Sequence, residues 1–153
     1  MRKVIVSIFI ASAALVMFSC RSSKEALSLS SMNGEWNIIE INGSAVVPGQ
    51  GQQLPFIGFD TTTGKVYGYS GCNRIIGSVD VNAKPGTIDL GALGSTRMAC
   101  PDMTLEQNVL GALAQVKGYK KMGKENMALC NASNRPVVIL AKKAADVKVA
   151  DLQ

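Results

Sequence analysis

The sequence predicts an α+β domain, in which a mostly antiparallel twisted sheet or open barrel packs against one helix at about residues 102–117. Short apolar segments recur between turns rich in Gly, Pro and Asn, which is typical of antiparallel strands. One segment in the second half of the chain shows the 3.6-residue period of a helix instead. A chain of 153 residues is long enough for one domain with a modest core.

The strands before the helix are predicted from short apolar runs bounded by turn residues. The first, "GEWNIIEING", is apolar on most of both faces, since Trp36 and Ile38 alternate with Ile39 and Ile41. Loops rich in Gly, Pro, Gln or Asn separate it from the later runs. The predicted strands are 34–43, 55–60, 66–71, 75–81 and 87–91, and residues 92–101 are predicted to be irregular.

The helix is predicted from a single apolar stripe. Its members fall at i, i+4, i+7, i+8 and i+11, which places them on one face: Leu105, Val109, Ala112, Leu113 and Val116. Asp102 or Thr104 is the expected N-cap, and Thr104 with Gln107 fits a capping box. Lys117 and Gly118 suit the end of the helix.

Three further strands are predicted after the helix. The segments 118–123, 125–131 and 135–143 are joined by the turn-like sequences "GKEN" and "NASNRP", which indicates an antiparallel meander. The tail at 144–153 shows no pattern.

The N-terminus has the features of a lipoprotein leader. Arg2 and Lys3 precede an apolar run that is too short for a membrane span and ends in "MFSC". This end resembles a lipobox, so residues 1–19 are predicted to be a signal peptide, with Cys20 lipidated by acyl chains such as palmitate. An ordinary signal peptide cleaved elsewhere and an uncleaved anchor are the alternatives. The polar, serine-rich residues 20–31 are predicted to be a flexible tether.

The composition argues against the common catalytic classes. The chain has no histidine, which excludes Ser-His-Asp and Cys-His catalysis and the His-containing zinc sites. It also has no C-x-x-C pair, no phosphate-binding P-loop and no G-x-S-x-G motif. We therefore predict no enzyme activity, no metal and no cofactor.

The charge does not indicate a nucleic-acid partner. The net charge is +5, and loss of Arg2 and Lys3 lowers Lys plus Arg from 16 to 14 against 11 acidic residues, which leaves +3. The basic residues are scattered, and aromatic residues make up only 5% of the chain. Nucleic-acid binding usually needs a denser basic stripe.

Several motifs together resemble the META/HslJ domain family. They are "GEWNIIEING", "YSGCNRIIGSVDV", "STRMACP" followed by "LEQNVLGAL", and "GYKKMGKENMALCN". The resemblance covers about residues 32–141 and implies a single mostly-β domain at 32–143. It also implies an envelope or secreted protein of largely unassigned function, with no established catalytic residues to transfer.

The cysteines are expected to be structural. With Cys20 assigned to lipid, Cys72, Cys100 and Cys130 remain, and the residues alone allow three pairings. Cys72 and Cys100 lie in glycine-containing irregular segments, and their two motifs occur together in the family pattern. The resemblance therefore favours a Cys72–Cys100 disulfide and leaves Cys130 free.

Four polar residues beside these cysteines have two interpretations. Asn73, Arg74, Thr96 and Arg97 either satisfy backbone and side-chain groups at the turns or contact a ligand. The first interpretation accompanies a non-catalytic, lipid-anchored protein of the cell envelope. Such a protein would sit at the outer membrane, with an envelope partner or a part in envelope stress tolerance. The second accompanies a small-ligand-binding or enzyme-inhibitor module that uses the open end of the sheet.

Overall fold

The fold is a single antiparallel sheet with one helix, seen in a computed structural model that describes residues 27–144. After a short 3-10 turn, Leu29–Met32, the chain forms five strands and a sixth short one before the helix, and three strands after it. The strands before the helix are β1 (Gly34–Ile41), β2 (Ser44–Ala45), β3 (Phe56–Asp60), β4 (Lys65–Tyr69), β5 (Arg74–Ser78) and β6 (Gly94–Ser95). The helix α1 is Thr104–Leu113, and it is followed by β7 (Gly118–Met122), β8 (Asn126–Cys130) and β9 (Pro136–Lys142).

The strands pair in the order β6-β5-β4-β3-β1-β9-β8-β7, and β2 pairs with β1 outside this path. Each pairing is antiparallel. The central contact between β1 and β9 joins the two meanders on either side of the helix. The prediction of an α+β fold built on an antiparallel sheet is therefore confirmed. Within the described residues the sheet is open, with β6 and β7 at its ends.

The core lies between α1 and the face of the sheet that α1 covers at β1 and β9. The predicted helical stripe faces this core, because Val109, Ala112, Leu113 and Val116 are buried and Leu105 packs at the margin. Across from them lie Ile38 of β1 and Leu140 of β9, both fully buried. On the opposite face of the sheet, Ala128, Cys130 and Ile139 form a second, smaller buried cluster with Ile39 against it.

The helix is shorter than predicted, and its predicted end at Lys117 and Gly118 is wrong, since it ends at Leu113. Met103 is the N-cap and forms no side-chain cap bond, while Asp102 accepts a hydrogen bond from the Thr104 amide at 2.8 Å. At the other end, the amides of Gln115 and Val116 bond three residues back, which tightens and ends the helix. Val116 then enters the core beyond the helix.

The strand predicted at 87–91 is also wrong. Thr87 forms one isolated bridge with Gly118, and Ile88 and Leu90 are buried without joining a ladder. Their amides lie 3.3 and 3.4 Å from the carbonyls of Lys117 and Val116, at the long end of hydrogen bonding. The apolar alternation was thus a correct signal of burial rather than of a strand. Residues 92–101, predicted to be irregular, contain β6.

The packed domain begins earlier than the predicted boundary at residue 32. Leu27 and Leu29 pack against the core, and the Leu27 carbonyl accepts hydrogen bonds from the Gly86 amide and the Tyr119 hydroxyl. Residues 27–31, assigned above to the tether, thus contact the domain. The predicted leader at 1–19, Cys20, the tether up to residue 26 and the tail from residue 145 lie outside the described residues. Within 27–144 no helix is long and apolar enough to cross a membrane.

Candidate functional site

The cysteine motif and the "STRMAC" motif meet at one corner of the domain. Cys72 and Cys100 form a disulfide, with 6.2 Å between their Cα atoms, which confirms the predicted pairing. The bond ties the β4–β5 turn to the strap, residues 96–102, that leads into α1. Cys130 is the free cysteine of the described residues, and burial raises the pKa of its thiol.

Asn73 joins the β4–β5 turn to the strap by its side-chain amide. Its Oδ1 accepts from the Met98 amide at 2.7 Å and from the Thr96 hydroxyl at 2.8 Å. Its Nδ2 donates to the Met98 carbonyl at 3.1 Å and to Glu106 Oε1 at 2.8 Å. Only 1% of Asn73 is exposed, and all of its amide hydrogen-bonding capacity is used inside the protein.

Glu106 of α1 completes this network. Its Oε2 accepts from the Asn73 backbone amide at 2.7 Å and lies 3.0 Å from the Ser70 hydroxyl. Ser70 is fully buried and Glu106 is 6% exposed. Sequence reasoning missed Glu106, although its spacing to Val109 and Leu113 at i+3 and i+7 placed it on the buried side of the helix.

The turn needs glycine at position 71. Gly71 has φ of +119°, a conformation that L-residues rarely adopt. A Cβ there would lie 3.2 Å from Leu105 Cγ, so the turn also approaches α1 closely. The "GCNR" motif therefore combines a required glycine, a disulfide and a buried amide in consecutive residues.

The two arginines of the motifs are placed differently from Asn73 and Thr96. Thr96 Oγ1 donates to Asn73 and accepts from the Arg74 amide at 3.0 Å, so this hydroxyl is engaged within the protein. The side chains of Arg74 and Arg97 are both exposed. Within residues 27–144 the Arg74 guanidinium forms no ion pair or hydrogen bond.

A cavity of about 500 Å³ lies beside the disulfide. Arg74 and Thr96 line it, but Arg97 does not, so the two guanidinium groups do not share this site. Its other lining residues are Gln53, Phe56, Gly68, Tyr69, Cys72 and Met98. A wider groove of about 660 Å³ separates the loop at 42–52 from the start of α1, where Asp102, Thr104, Leu105 and Asn108 line it.

The groups at this corner join the β4–β5 turn, the strap and α1, and a surface suited to binding lies beside them. The two sulfurs are oxidised, and the buried polar groups bond to one another. Among residues 27–144 there is no group of three or more acidic or cysteine side chains placed to hold a metal ion. Of the two exposed guanidinium groups, that of Arg74 lines the cavity and that of Arg97 does not.

Comparison with known proteins supports the same fold. A family model described as META domain matches residues 27–144. The chain is similar to a protein from Burkholderia xenovorans solved by NMR, with 24% identity and a TM-score of 0.57 over 76% of this chain and 86% of that one. A crystal structure of a DUF4847 family protein from Bacteroides vulgatus ATCC 8482 matches at 16% identity and a TM-score of 0.50, over 75% and 96% of the two chains. No curated protein matches the chain significantly.

Proposed function

The chain belongs to the META domain family, and we propose that it is a non-catalytic lipoprotein of the cell envelope, anchored at the outer membrane through Cys20. Its domain would act by contacting another envelope component, with envelope stress tolerance as the setting. The observation that carries this proposal is the Cys72–Cys100 disulfide. Structural disulfides persist in oxidising compartments and are rare where thiols are kept reduced.

The N-terminal sequence supports the anchor. The apolar run that ends at Ser19 and Cys20 stands directly before a polar segment, and the packed domain begins by Leu27. A short polar spacer between a lipidated cysteine and the domain would leave the domain close to the membrane surface. Several acyl chains would hold it there, because each buried methylene contributes about 0.8 kcal/mol.

The state of the thiols and buried polar groups at the corner supports a binding role over a catalytic one. A nucleophilic cysteine needs a thiolate and an activating group. Cys72 and Cys100 are bonded to each other, and the pKa of the buried Cys130 thiol is raised, which disfavours its thiolate. The side chains of Glu106 and Asn73 are hydrogen-bonded to each other and hold the turn in position.

A second candidate function, a small-ligand-binding or enzyme-inhibitor module, is favoured by one observation. The cavity beside the disulfide has an unpaired guanidinium on one wall and two aromatic side chains, Phe56 and Tyr69, on another. Ligand sites are typically concave, mostly apolar and equipped with a few polar groups.

Membrane fractionation tests the anchored-lipoprotein proposal. Wild-type protein should sediment with the outer-membrane fraction and stay there after a high-salt, alkaline wash. Cys20→Ser should be released by the wash or remain with its leader uncleaved. Cys130→Ser, a matched change at the free cysteine of the domain, should fractionate as wild type does. Wild-type protein recovered in the soluble fraction would contradict the proposal.

A further inference from the structure

The cavity beside the disulfide is built on one cross-strand row of the sheet. Phe56 of β3 pairs with Tyr69 of β4, and Tyr69 pairs with Arg74 of β5. Directly paired residues on neighbouring strands present their side chains on the same face. Two aromatic rings and one guanidinium are therefore held side by side.

The strap forms the remaining wall, and three independent contacts hold it in place. The disulfide fixes one end, and the Thr96 amide bonds to the Arg74 carbonyl at 3.1 Å. Between these points the Asn73 side chain forms hydrogen bonds with both the amide and the carbonyl of Met98. The cavity is thus formed before any ligand arrives, which reduces the entropy cost of binding.

The polar groups of the cavity are unequally available. Tyr69 donates its hydroxyl proton to the Gly71 carbonyl at 2.6 Å, and Thr96 donates to Asn73. The Arg74 guanidinium keeps all of its donors within the described residues. No aspartate or glutamate is among the lining residues, so nothing in the wall neutralises Arg74.

An ion pair lies next to the aromatic end of the cavity. Lys143 Nζ lies 4.4 Å from the centroid of the Phe56 ring and 2.8 Å from Glu35 Oε2. A cation over a ring is attracted by its electron-rich face. Because Lys143 is paired with Glu35, Arg74 is the cation that remains unpaired, within the described residues, beside the apolar surface that a ligand would meet.

We infer that this cavity binds a small organic anion, with its carboxylate on the Arg74 guanidinium and a planar apolar body against Phe56 and Tyr69. This rests on the second proposed function, the ligand-binding module, and does not depend on the lipid anchor. A guanidinium matches a carboxylate by two parallel hydrogen bonds. An exposed ion pair alone contributes little, so the apolar contact is an essential part of the affinity.

The test is a titration of the full chain in detergent micelles, with arginine labelled with ¹⁵N. The Arg74 side-chain signal is assigned by its absence from Arg74→Gln. The probes are naphthalene-2-carboxylate, its neutral isostere 2-naphthamide, and acetate. The carboxylate should shift the Arg74 Nε–H signal saturably and bind about tenfold or more tightly than either other probe, as expected for a charge-assisted hydrogen bond that acts together with apolar contact.

Two variants test whether the carboxylate binds at Arg74. Binding to them is followed by the NMR shifts of the backbone amides of Thr96 and Met98. Arg74→Gln should weaken binding of the carboxylate about tenfold or more. Arg97→Gln removes one guanidinium from the strap without touching the cavity and should bind as wild type does, which also corrects for probe taken up by micelles.

Other outcomes distinguish two claims: that the cavity binds a ligand, and that the ligand is an anion held by Arg74. Equal binding of the carboxylate and the amide would overturn the anion class and leave a ligand-binding cavity. Equal weakening in both arginine variants would overturn the assignment to Arg74. No saturable shift with any probe would overturn the inference and the ligand-binding module together.

Discussion

The carboxylate of Glu106 and the amide groups of Asn73 form two hydrogen bonds that join α1 to the β4–β5 turn. The Asn73 backbone amide donates at 2.7 Å and Nδ2 donates at 2.8 Å, and both residues are buried. The two residues lie 33 positions apart in the chain, so the contact fixes tertiary structure. The same Asn73 side chain holds the strap, which makes this pair the centre of the corner that carries the family motifs.

Removing the Glu106 carboxylate should destabilise the domain strongly. Glu106→Ala leaves the backbone amide of Asn73, which has no other acceptor in the network, buried and unsatisfied. Asn73 Nδ2 and the Ser70 hydroxyl each lose one of their two partners. Each such loss costs about 1–3 kcal/mol, so a total of about 2–4 kcal/mol is expected. Chemical denaturation should show this loss, while Gln107→Ala, at the exposed neighbouring position, should stay within about 0.5 kcal/mol of wild type. Similar midpoints for the two variants would contradict the role of Glu106.

Exchanging donor and acceptor between Asn73 and Glu106 should partly restore stability. Asn73→Asp alone places an oxygen opposite Glu106 Oε1, and Glu106→Gln alone places two amide groups donor to donor. In the double variant Gln at 106 can donate to Asp at 73, so it should be more stable than the sum of the single losses by about 1 kcal/mol. Asn73→Asp combined with Glu125→Gln, an exposed site, is the control for net charge. Equal recovery in the control would mean that charge, not the contact, explains the effect.

The disulfide should be a large part of the stability of the domain. Cys72 and Cys100 are 28 residues apart, and the chain-entropy model gives roughly 3–4 kcal/mol for a loop of that size. Typical domains are stable by only about 5–15 kcal/mol. A reducing agent should therefore lower the melting temperature of wild type and of Cys130→Ala by many degrees. It should leave Cys72→Ser and Cys100→Ser unchanged at their already lowered values. A wild-type melt that does not respond to complete reduction would refute this expectation.

The turn between β3 and β4 should weaken in acid. The Thr62 hydroxyl, followed by the Thr63 hydroxyl and the amides of both threonines, holds the pKa of the Asp60 carboxyl below its usual value of 3.8. Because the folded-state pKa is depressed, this contribution is present above pH 3.8 and is lost as the pH falls further. Thr62→Val should move the Asp60 pKa back toward its usual value. The measurement is a ¹³C NMR titration of the Asp60 carboxyl carbon, and identical midpoints in the two proteins would contradict the assigned cause.

The sequence was informative where one local pattern determines the outcome. The stripe from Leu105 to Val116 specifies the buried face of α1 whatever lies opposite, so the face was predicted even though the helix ends early. The pairing of Cys72 with Cys100 followed from the family resemblance and not from the residues alone. The alternation of Ile88 and Leu90 correctly indicated burial, but it was interpreted as a strand. A local pattern does not show whether a neighbouring strand lies in position to pair with it.

The features that were missed depend on distant parts of the chain. Glu106 was overlooked because a glutamate on a helix is most often solvated, and only the turn at Asn73 makes its burial favourable. The separation of Arg74 and Arg97 was equally hidden, since the register of β5 against β6 decides which residue lines the cavity. Cys20 lies outside the described residues, and its modification stays a prediction.

The most direct test of the central proposal is the intact mass of the protein extracted from membranes of cells that produce it. We expect a chain that begins at Cys20 and carries a diacyl or triacyl modification, with Cys72 and Cys100 joined in a disulfide. Cys20→Ala should yield no acylated species. An unmodified mature chain that begins at any other residue would contradict the lipoprotein proposal.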